Sequence, residues 1–387
     1  MIPYWNPGSI EVIPGVLMFH TFGLLVGIAV LVGGFIAQRR AEQAGLSGRV
    51  MADAAIFFVI VGFLFAHWVS VVFYFPDRLW GAACETHAQC MSAPFHGVWG
   101  KPADMICQDN GRCNNGHWST MLMIWNGISS VGGFLGAFVG ILIFFRVSRI
   151  PLIPGVLVLE GGKNRPALKY VDAAAYGMAF AWIFGRAACF TAHDHIGRLT
   201  NSPFGIRFPR AEWPKLVTPE ALEMFGDVSY VQRFDLGFLE MLYAIVMSIV
   251  FFFVARNEHR LNLRPGWYAA VLIFFYAPYR LFLDSLRARD IDGADPRYWL
   301  DMTAAQWGTV IMMVLAIWIW WLGGRARNKP GYMDNSAFPL ELGGEPAAAA
   351  AAASTGAATD AATDAKATGA RKSSGSKSGG GNRGKRS

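Results

Sequence analysis

Charge is scarce in this chain. Only 16% of its 387 residues are Asp, Glu, Lys or Arg, against about 25% in soluble domains. That shortage argues against a water-soluble fold. Strand-like alternation of apolar and polar residues is missing, which excludes a membrane β-barrel. Met1 to Gly15 has no basic start, and the first apolar run continues to full spanning length, so no cleavable signal peptide is expected. The internal symmetry of a transporter built from inverted repeats is not visible either. Cysteine is rare, with five in all and four of them confined to residues 84–113. Aromatic residues stop at Phe338.

Apolar side chains are abundant instead: 53% of residues, including 29 Phe and 14 Trp. Runs near 20 residues recur, the length needed to cross a bilayer core of about 30 Å. The pattern predicts an all-α integral membrane protein with about seven transmembrane helices, a periplasmic head and a disordered cytoplasmic tail. Spans are expected near 15–37, 53–75, 119–145, 171–190, 236–255, 266–284 and 303–322. The membrane domain is then 1–329, with a Cys-rich periplasmic loop at 76–118 and the head at 191–235. Residues 330–387 are an Ala/Gly/Ser/Lys-rich tail that cannot bury a core. Its basic end reads as a solvated segment or as a contact with anionic lipid.

Orientation follows from Lys and Arg near the span ends. Arg39, Arg40 and Arg49 follow the first span, and Arg146, Arg149, Lys163, Arg165 and Lys169 the third. Arg256, Arg260 and Arg264 follow the fifth, and Arg325, Arg327 and Lys329 the seventh. All fall on one side, which places the N-terminus outside and the C-terminus in the cytoplasm. The head departs from the rule by keeping Arg198, Arg207, Arg210, Lys215 and Arg233. The formal charge of +7 reflects orientation and tail, so no nucleic-acid partner is expected.

Cys84, Cys90, Cys107 and Cys113 fall in an oxidising compartment under this topology, where two disulfides are expected with three possible connectivities. A zinc site using His87, His96 or His117 is the alternative, but the C-x5-C spacing is not the usual two-to-four-residue knuckle. No metal is expected. Cys189 reads as a buried small residue or as a thiol activated by Arg186 or a histidine.

The chemistry concentrates in Gly185-Arg186-Ala187-Ala188-Cys189-Phe190-Thr191-Ala192-His193-Asp194-His195-Ile196-Gly197-Arg198, at the end of the fourth span. Arginine there is costly in a low dielectric and marks a functional site. Arg186 and Arg280, at the outer ends of two spans, suit bidentate binding of a lipid phosphate. Arg280, Asp284 and Arg287 share one helix face, where Asp284 can hold either arginine. A structural ion-pair ladder is the alternative. His193 and His195 are candidate general bases. Gly132, Gly136 and Gly140 form a small-residue stripe for helix packing. His67 and His20 are lone histidines in the second and first spans.

The order of these pieces resembles the prolipoprotein diacylglyceryl transferase family, over about residues 15–325 without the Cys-rich loop and the tail. The family's His-x-Tyr-Gly resembles His20-Thr21-Phe22-Gly23. Its Trp-x-Gly-Gly-x-x-x-His-Gly-Gly resembles Trp125 through Gly133, including Asn126, Gly132 and Gly133. Its Gly-Arg-x-x-Asn-Phe-x-Asn-x-Glu-x-x-Gly resembles Gly185 through Gly197. Its Tyr-x-x-x-Arg-x-x-x-Glu-x-x-Arg resembles Tyr276, Arg280, Asp284 and Arg287, and its Met-x-x-x-Gln is similar to Met302 and Gln306.

The resemblance implies a bacterial inner-membrane enzyme without a cofactor. Its partners would be phosphatidylglycerol, the prolipoprotein signal peptide with its lipobox, and membrane lipid. Catalytic roles are implied for Arg186, Arg280, Asp194, His193 and His67, and substrate binding for Gly197, Cys189, His20, Tyr276, Asp284, Arg287, Asn126, Gly132 and Gly133. The sequence departs from the family at four places: Cys189 replaces an Asn, Val131 a His, Phe22 a Tyr, and His67 an Arg. Two readings follow. One is a divergent transferase whose base is His67, His193 or His195. The other is a paralogue that binds anionic lipid or lipoproteins, or that transfers to another acceptor.

Overall fold

The computed structural model describes residues 2–335, apart from 14–16, 98, 100, 103, 125–126, 154–155, 227–228, 292–296 and 298. Seven principal helices carry the fold: α1 (Thr21–Gln43), α2 (Gly48–Val69), α3 (Ser130–Phe144), α4 (Ala167–Ala192), α5 (Leu236–Arg256), α6 (Trp267–Ser285) and α7 (Ala304–Arg327). Five of them, α1, α2 with its π-turn to Tyr74, α4, α5 and α7, are long and apolar enough to cross a membrane. Their outward side chains are apolar, with Leu31 and Ile311 well exposed, while Glu240 and Arg280 are buried. That inversion suits lipid as the surrounding medium, where polar groups must pair internally.

The expected boundaries move in three places. α1 begins at Thr21 rather than 15, because Leu17–His20 pairs with Ser9–Ile13 in a hairpin. α2 begins at Gly48 rather than 53, where the Ser47 hydroxyl accepts from Val50 N. The third span, expected from 119, is helical only from Ser130. A 3₁₀ turn occupies Trp118–Leu122, and Gly127 has φ 94°. Its 15 residues rise about 22 Å, short of the bilayer core. α6, the sixth expected crossing, carries Tyr276, Arg280 and Asp284 among its buried residues.

The all-helical expectation describes the membrane part. The head adds a small sheet of β1 (Ile2–Pro3), β2 (Ile196–Leu199), β3 (Ile206–Pro209) and β4 (Tyr230–Asp235), in the order β1-β3-β4-β2. β1 joins β3 in parallel, so the extreme N-terminal residues are stitched into the head.

α1 packs on α4, α2 on α3, α4 on α5, and α6 on α7. The small-residue stripe acts as expected. A Cβ on Gly132 or Gly136 would sit 2.4 or 2.6 Å from the Phe65 or Val61 carbonyl oxygen of α2. Between α4 and α6, the Asp172 carboxylate accepts from Gly266 N at 2.6 Å and Ala269 N at 3.2 Å. It caps α6 from a neighbouring helix, because the N-cap residue Gly266 has no side chain to do so. Asp172→Ala is expected to cost about 1–2 kcal/mol, read as a lower melting temperature in detergent. An unchanged melting temperature would mean that the cap contributes nothing.

The four loop cysteines pair as Cys84–Cys107 and Cys90–Cys113, which selects one of three connectivities. The sulfurs of Cys84, Cys90 and Cys107 lie within 4.8 Å of one another, but disulfide sulfurs are not the thiolates that bind zinc. After α7, Asn335 donates to the carbonyls of Ala44 and Gly45, and Lys169 Nζ donates to the Met333 carbonyl at 2.9 Å. The expected disordered tail falls almost wholly at 336–387, outside the described residues.

Candidate functional site

Three helices deliver the charged centre. α4 brings Arg186 two turns before its end, α5 brings Glu240 one turn after its start, and α6 brings Tyr276 and Arg280. Glu240 is wholly buried and bridges the arginines. Arg186 Nε lies 2.6 Å from Glu240 Oε2, and Arg280 Nη1 donates to Glu240 Oε1. The Tyr276 hydroxyl donates to Oε2 at 3.4 Å. The Arg186 guanidinium also lies over the Trp182 ring, 5.1 Å from its centroid, and its Nη1 donates to Cys189 Sγ at 3.8 Å.

One turn beyond Arg280, Asp284 is buried. It accepts from the Thr303 hydroxyl at 3.2 Å and lies 3.4 Å from Arg287 Nε. Arg186 and Arg280 thus share Glu240, and Arg287 lies against Asp284, with Asp194 also within electrostatic range of Arg186. A guanidinium offers five donors, so one carboxylate cannot saturate two of them.

The strands of the head hold this end of α6 in place. Gly197 pairs with Arg287 in an antiparallel bridge, flanked by Arg198 N to the Leu286 carbonyl at 2.7 Å and Ala288 N to the Ile196 carbonyl at 3.2 Å. A Cβ on Gly197 would sit 2.8 Å from Phe234 Cβ and 2.9 Å from the Leu286 carbonyl oxygen. Gly197 therefore serves the site by letting α6 dock against β2.

The histidines separate by environment. His193 ends α4 in the left-handed conformation, φ 48°. Its Nδ1 lies 2.7 Å from Asp235 Oδ2, its Nε2 donates to the Trp5 carbonyl at 3.2 Å, and Tyr4 stacks on the ring. Both nitrogens are occupied and the ring is buried. Burial pushes the Asp235 carboxyl up, and the His193 hydrogen bond opposes that. His195 is 22% exposed, with Nδ1 2.9 Å from Asp194 Oδ1 but out of hydrogen-bond alignment. It lies within electrostatic range of Glu240, as Asp194 does of Arg186.

His67 is wholly buried on α2. Its Nε2 lies 2.8 Å from the Thr120 carbonyl oxygen and its Nδ1 3.1 Å from that of Gly127, so the ring clasps the segment leading into α3. Gly132 packs on α2, and Gly133 N bonds the Ser129 carbonyl. Val131 packs against Gly308 of α7 and lines a water-sized cavity of about 10 Å³ with Tyr276 and Arg280. Val131 thus places an apolar group beside Arg280. His20 is exposed at the N-cap of α1. Asn126 lies outside the described residues.

Glu240 is the central residue that the sequence reading passed over. A lone acidic residue within Leu236–Arg256 was the available signal. Arg233 and Asp290 were also missed. Arg233 is wholly buried in β4, and its Nη1 and Nη2 meet Asp290 at 2.9 and 2.5 Å, with the Thr218 hydroxyl donating to Asp290 at 2.9 Å. The Arg233 hydrogen bonds hold the Asp290 carboxyl down at about 2. A depressed carboxylate stabilises the fold above its unfolded value, and that contribution is lost as pH falls through about 2. Asp290→Asn is expected to lower the melting temperature at pH 7. The gap from the parent should close as pH approaches 2. A gap independent of pH would contradict the ion pair.

A family model described as prolipoprotein diacylglyceryl transferase matches residues 9–322. The chain is similar to three curated proteins named phosphatidylglycerol–prolipoprotein diacylglyceryl transferase. That of Rhizobium meliloti (strain 1021) is 27% identical over 213 residues, 54% of this chain and 61% of the relative. That of Gloeobacter violaceus is 22% identical over 329 residues, 84% of this chain and 97% of the relative. That of Staphylococcus carnosus is 22% identical over 342 residues, 87% of this chain and 98% of the relative. The chain thus spans about 61% of the length of the Rhizobium protein and nearly all of the other two.

Proposed function

The chain belongs to the prolipoprotein diacylglyceryl transferase family, and we propose that it moves a diacylglyceryl group from phosphatidylglycerol to the lipobox cysteine thiol of a prolipoprotein. The observation that carries this reading is the buried Arg186–Glu240–Arg280 triad. A phosphodiester carries one negative charge, and the departing glycerol-1-phosphate gains another. Arginine forks suit both states and stabilise the second more.

In the reaction the thiol sulfur bonds to the glycerol carbon, the carbon–oxygen bond to phosphate breaks, and the thiol proton leaves to a base. Arg186 and Arg280 hold the phosphate, with Glu240 and Tyr276 fixing their orientation. Asp284 and Arg287 complete the charged face. His195 is the histidine best placed as base, since His193 and His67 have both ring nitrogens committed. Asp194 lies against the His195 ring and orients it.

The helical bundle sits in a bacterial inner membrane with the N-terminus periplasmic and the C-terminus cytoplasmic. The arginines gathered after α1, α3, α5 and α7 support that orientation. The 191–235 head and the disulfide-bearing loop are then outside, where disulfides persist.

Val131 and Cys189 favour a second reading, a paralogue that binds anionic phospholipid or lipoproteins without transfer. Both stand at the site where the family has polar groups. Incubating the purified full chain with labelled phosphatidylglycerol and a lipobox peptide separates the two. A labelled thioether on the peptide cysteine supports the transferase. Folded protein that binds the lipid and yields no thioether establishes the binder.

A further inference from the structure

The Cys-rich loop falls within the matched residues 9–322, but the site above gives it no role. The loop exposes polar groups such as Glu85, His87 and Asp109, as a water-facing loop does, but it exposes large apolar ones as well. Asn115, Ser119 and Thr120 are 1% exposed or less, whereas Trp80, Met91, Trp99, Trp118 and Leu122 are 50% to 76% exposed. The arrangement is fixed. The two disulfides clasp the loop, and Cys84 N and Cys113 N bond the carbonyls of Gly111 and Ala82. The Asn115 side chain accepts from Ala82 N at 3.1 Å and donates to the Pro94 carbonyl at 3.1 Å. Asn115 thus helps close the loop on itself, with Trp80, Trp99 and Trp118 left outside.

The depth of this face is set by α2. His67 holds the Thr120 carbonyl at 2.8 Å, and Trp68 Nε1 donates to the Met121 carbonyl at 3.2 Å. Both side chains belong to the last turn of α2, before the π-turn that ends the candidate span at Tyr74, so Trp118 is tied to that end of the helix. Trp99 meets Trp118 edge to face, with ring centroids 5.7 Å apart. At the loop's other root, the exposed Phe75 continues the lipid-facing side of α2. The loop carries four acidic residues (Asp77, Glu85, Asp104, Asp109) against three basic ones (Arg78, Lys101, Arg112), so charge does not draw it to a partner. Amphipathic tryptophan is the residue that settles at headgroup level.

We propose that the disulfide-clasped loop is an interfacial anchor. Trp80, Trp99 and Trp118 are seated in the lipid headgroup region of the leaflet at this end of the bundle, and the bilayer surface is their partner. The exposed apolar face is continuous with the lipid-facing belt of α2 and stays rigid while the lipid moves past it.

The test uses the full chain, labelled with 5-fluorotryptophan and reconstituted in phosphatidylglycerol–phosphatidylethanolamine vesicles. Single Trp80→Phe, Trp99→Phe and Trp118→Phe variants assign the three resonances, each by the loss of one signal. A paramagnetic lipid labelled near the headgroup should abolish all three, and a water-soluble gadolinium chelate should leave them in place. Resonances that survive the lipid label and vanish with the chelate would overturn the anchor and assign the face to a soluble partner.

Discussion

Arg186→Ala and Arg280→Ala should each lower transfer by about 10³-fold or more, since each removes a donor to the charge that develops on the leaving phosphate. The loss should fall on turnover as well as on lipid binding. The diester already carries one negative charge, but the phosphate that departs carries more, so the missing guanidinium is felt most late in the reaction. Lysine substitutions sharpen the reading. Lysine keeps the charge but has no planar fork, and it cannot hold Glu240 and a phosphate oxygen together as arginine does. Arg186→Lys and Arg280→Lys should therefore recover lipid binding better than they recover turnover. Steady-state transfer to a lipobox peptide measures both. Robust transfer by either alanine variant would remove the arginine from the site.

Glu240→Ala should have the largest effect on stability. Glu240 is wholly buried and stands between two buried guanidiniums. Without it two cations face each other in a low dielectric. Breaking a buried pair by removing one partner typically costs about 3–5 kcal/mol, a large share of the stability of any domain. The melting temperature in detergent should fall accordingly. A second protein separates architecture from chemistry. Replacing the whole triad, Arg186→Met, Glu240→Leu and Arg280→Met together, removes every unpaired charge. That protein should regain most of the lost stability and remain without transfer. If it stays as unstable as Glu240→Ala, the triad is holding the fold rather than serving a ligand.

Helix positions were legible because apolar length is written directly in the residues. The third span was the misjudged one. Trp118, Met121, Leu122 and Ile124 look like helix on hydropathy, but they belong to a turn pinned by His67, a tertiary contact that no local pattern reports. The four-residue strands around Gly197 and Phe208 were invisible for a related reason: their pairing partners lie up to about 40 residues away, or at the N-terminus. Helical spacing put Arg280, Asp284 and Arg287 on one face. Asp284 does meet Arg287, but Arg287 lies past the end of α6 in a bridge with Gly197, and Arg280 pairs with Glu240 instead. Glu240 was not found, because its meaning depends on which helices flank α5. His193 looked the equal of His195 in sequence. The chain turn after Ala192 sends one ring into the head core and the other toward the charged cluster.

The departures from the family now have physical places. Val131 fills space against Gly308 beside Arg280. Cys189 meets the Arg186 guanidinium through sulfur, a weaker acceptor than an amide oxygen. Arg186 and Arg280 meet at Glu240, with Asp194 within electrostatic range of Arg186 and His195 of Glu240.

The most direct measurement is phosphorus NMR on phosphatidylglycerol vesicles containing the full chain and a lipobox peptide. The account predicts that the phosphodiester resonance declines as a glycerol-1-phosphate monoester resonance grows in step with thioether on the peptide, and that both changes vanish with Arg280→Ala. A diester resonance that persists over folded, lipid-bound parent protein would contradict it.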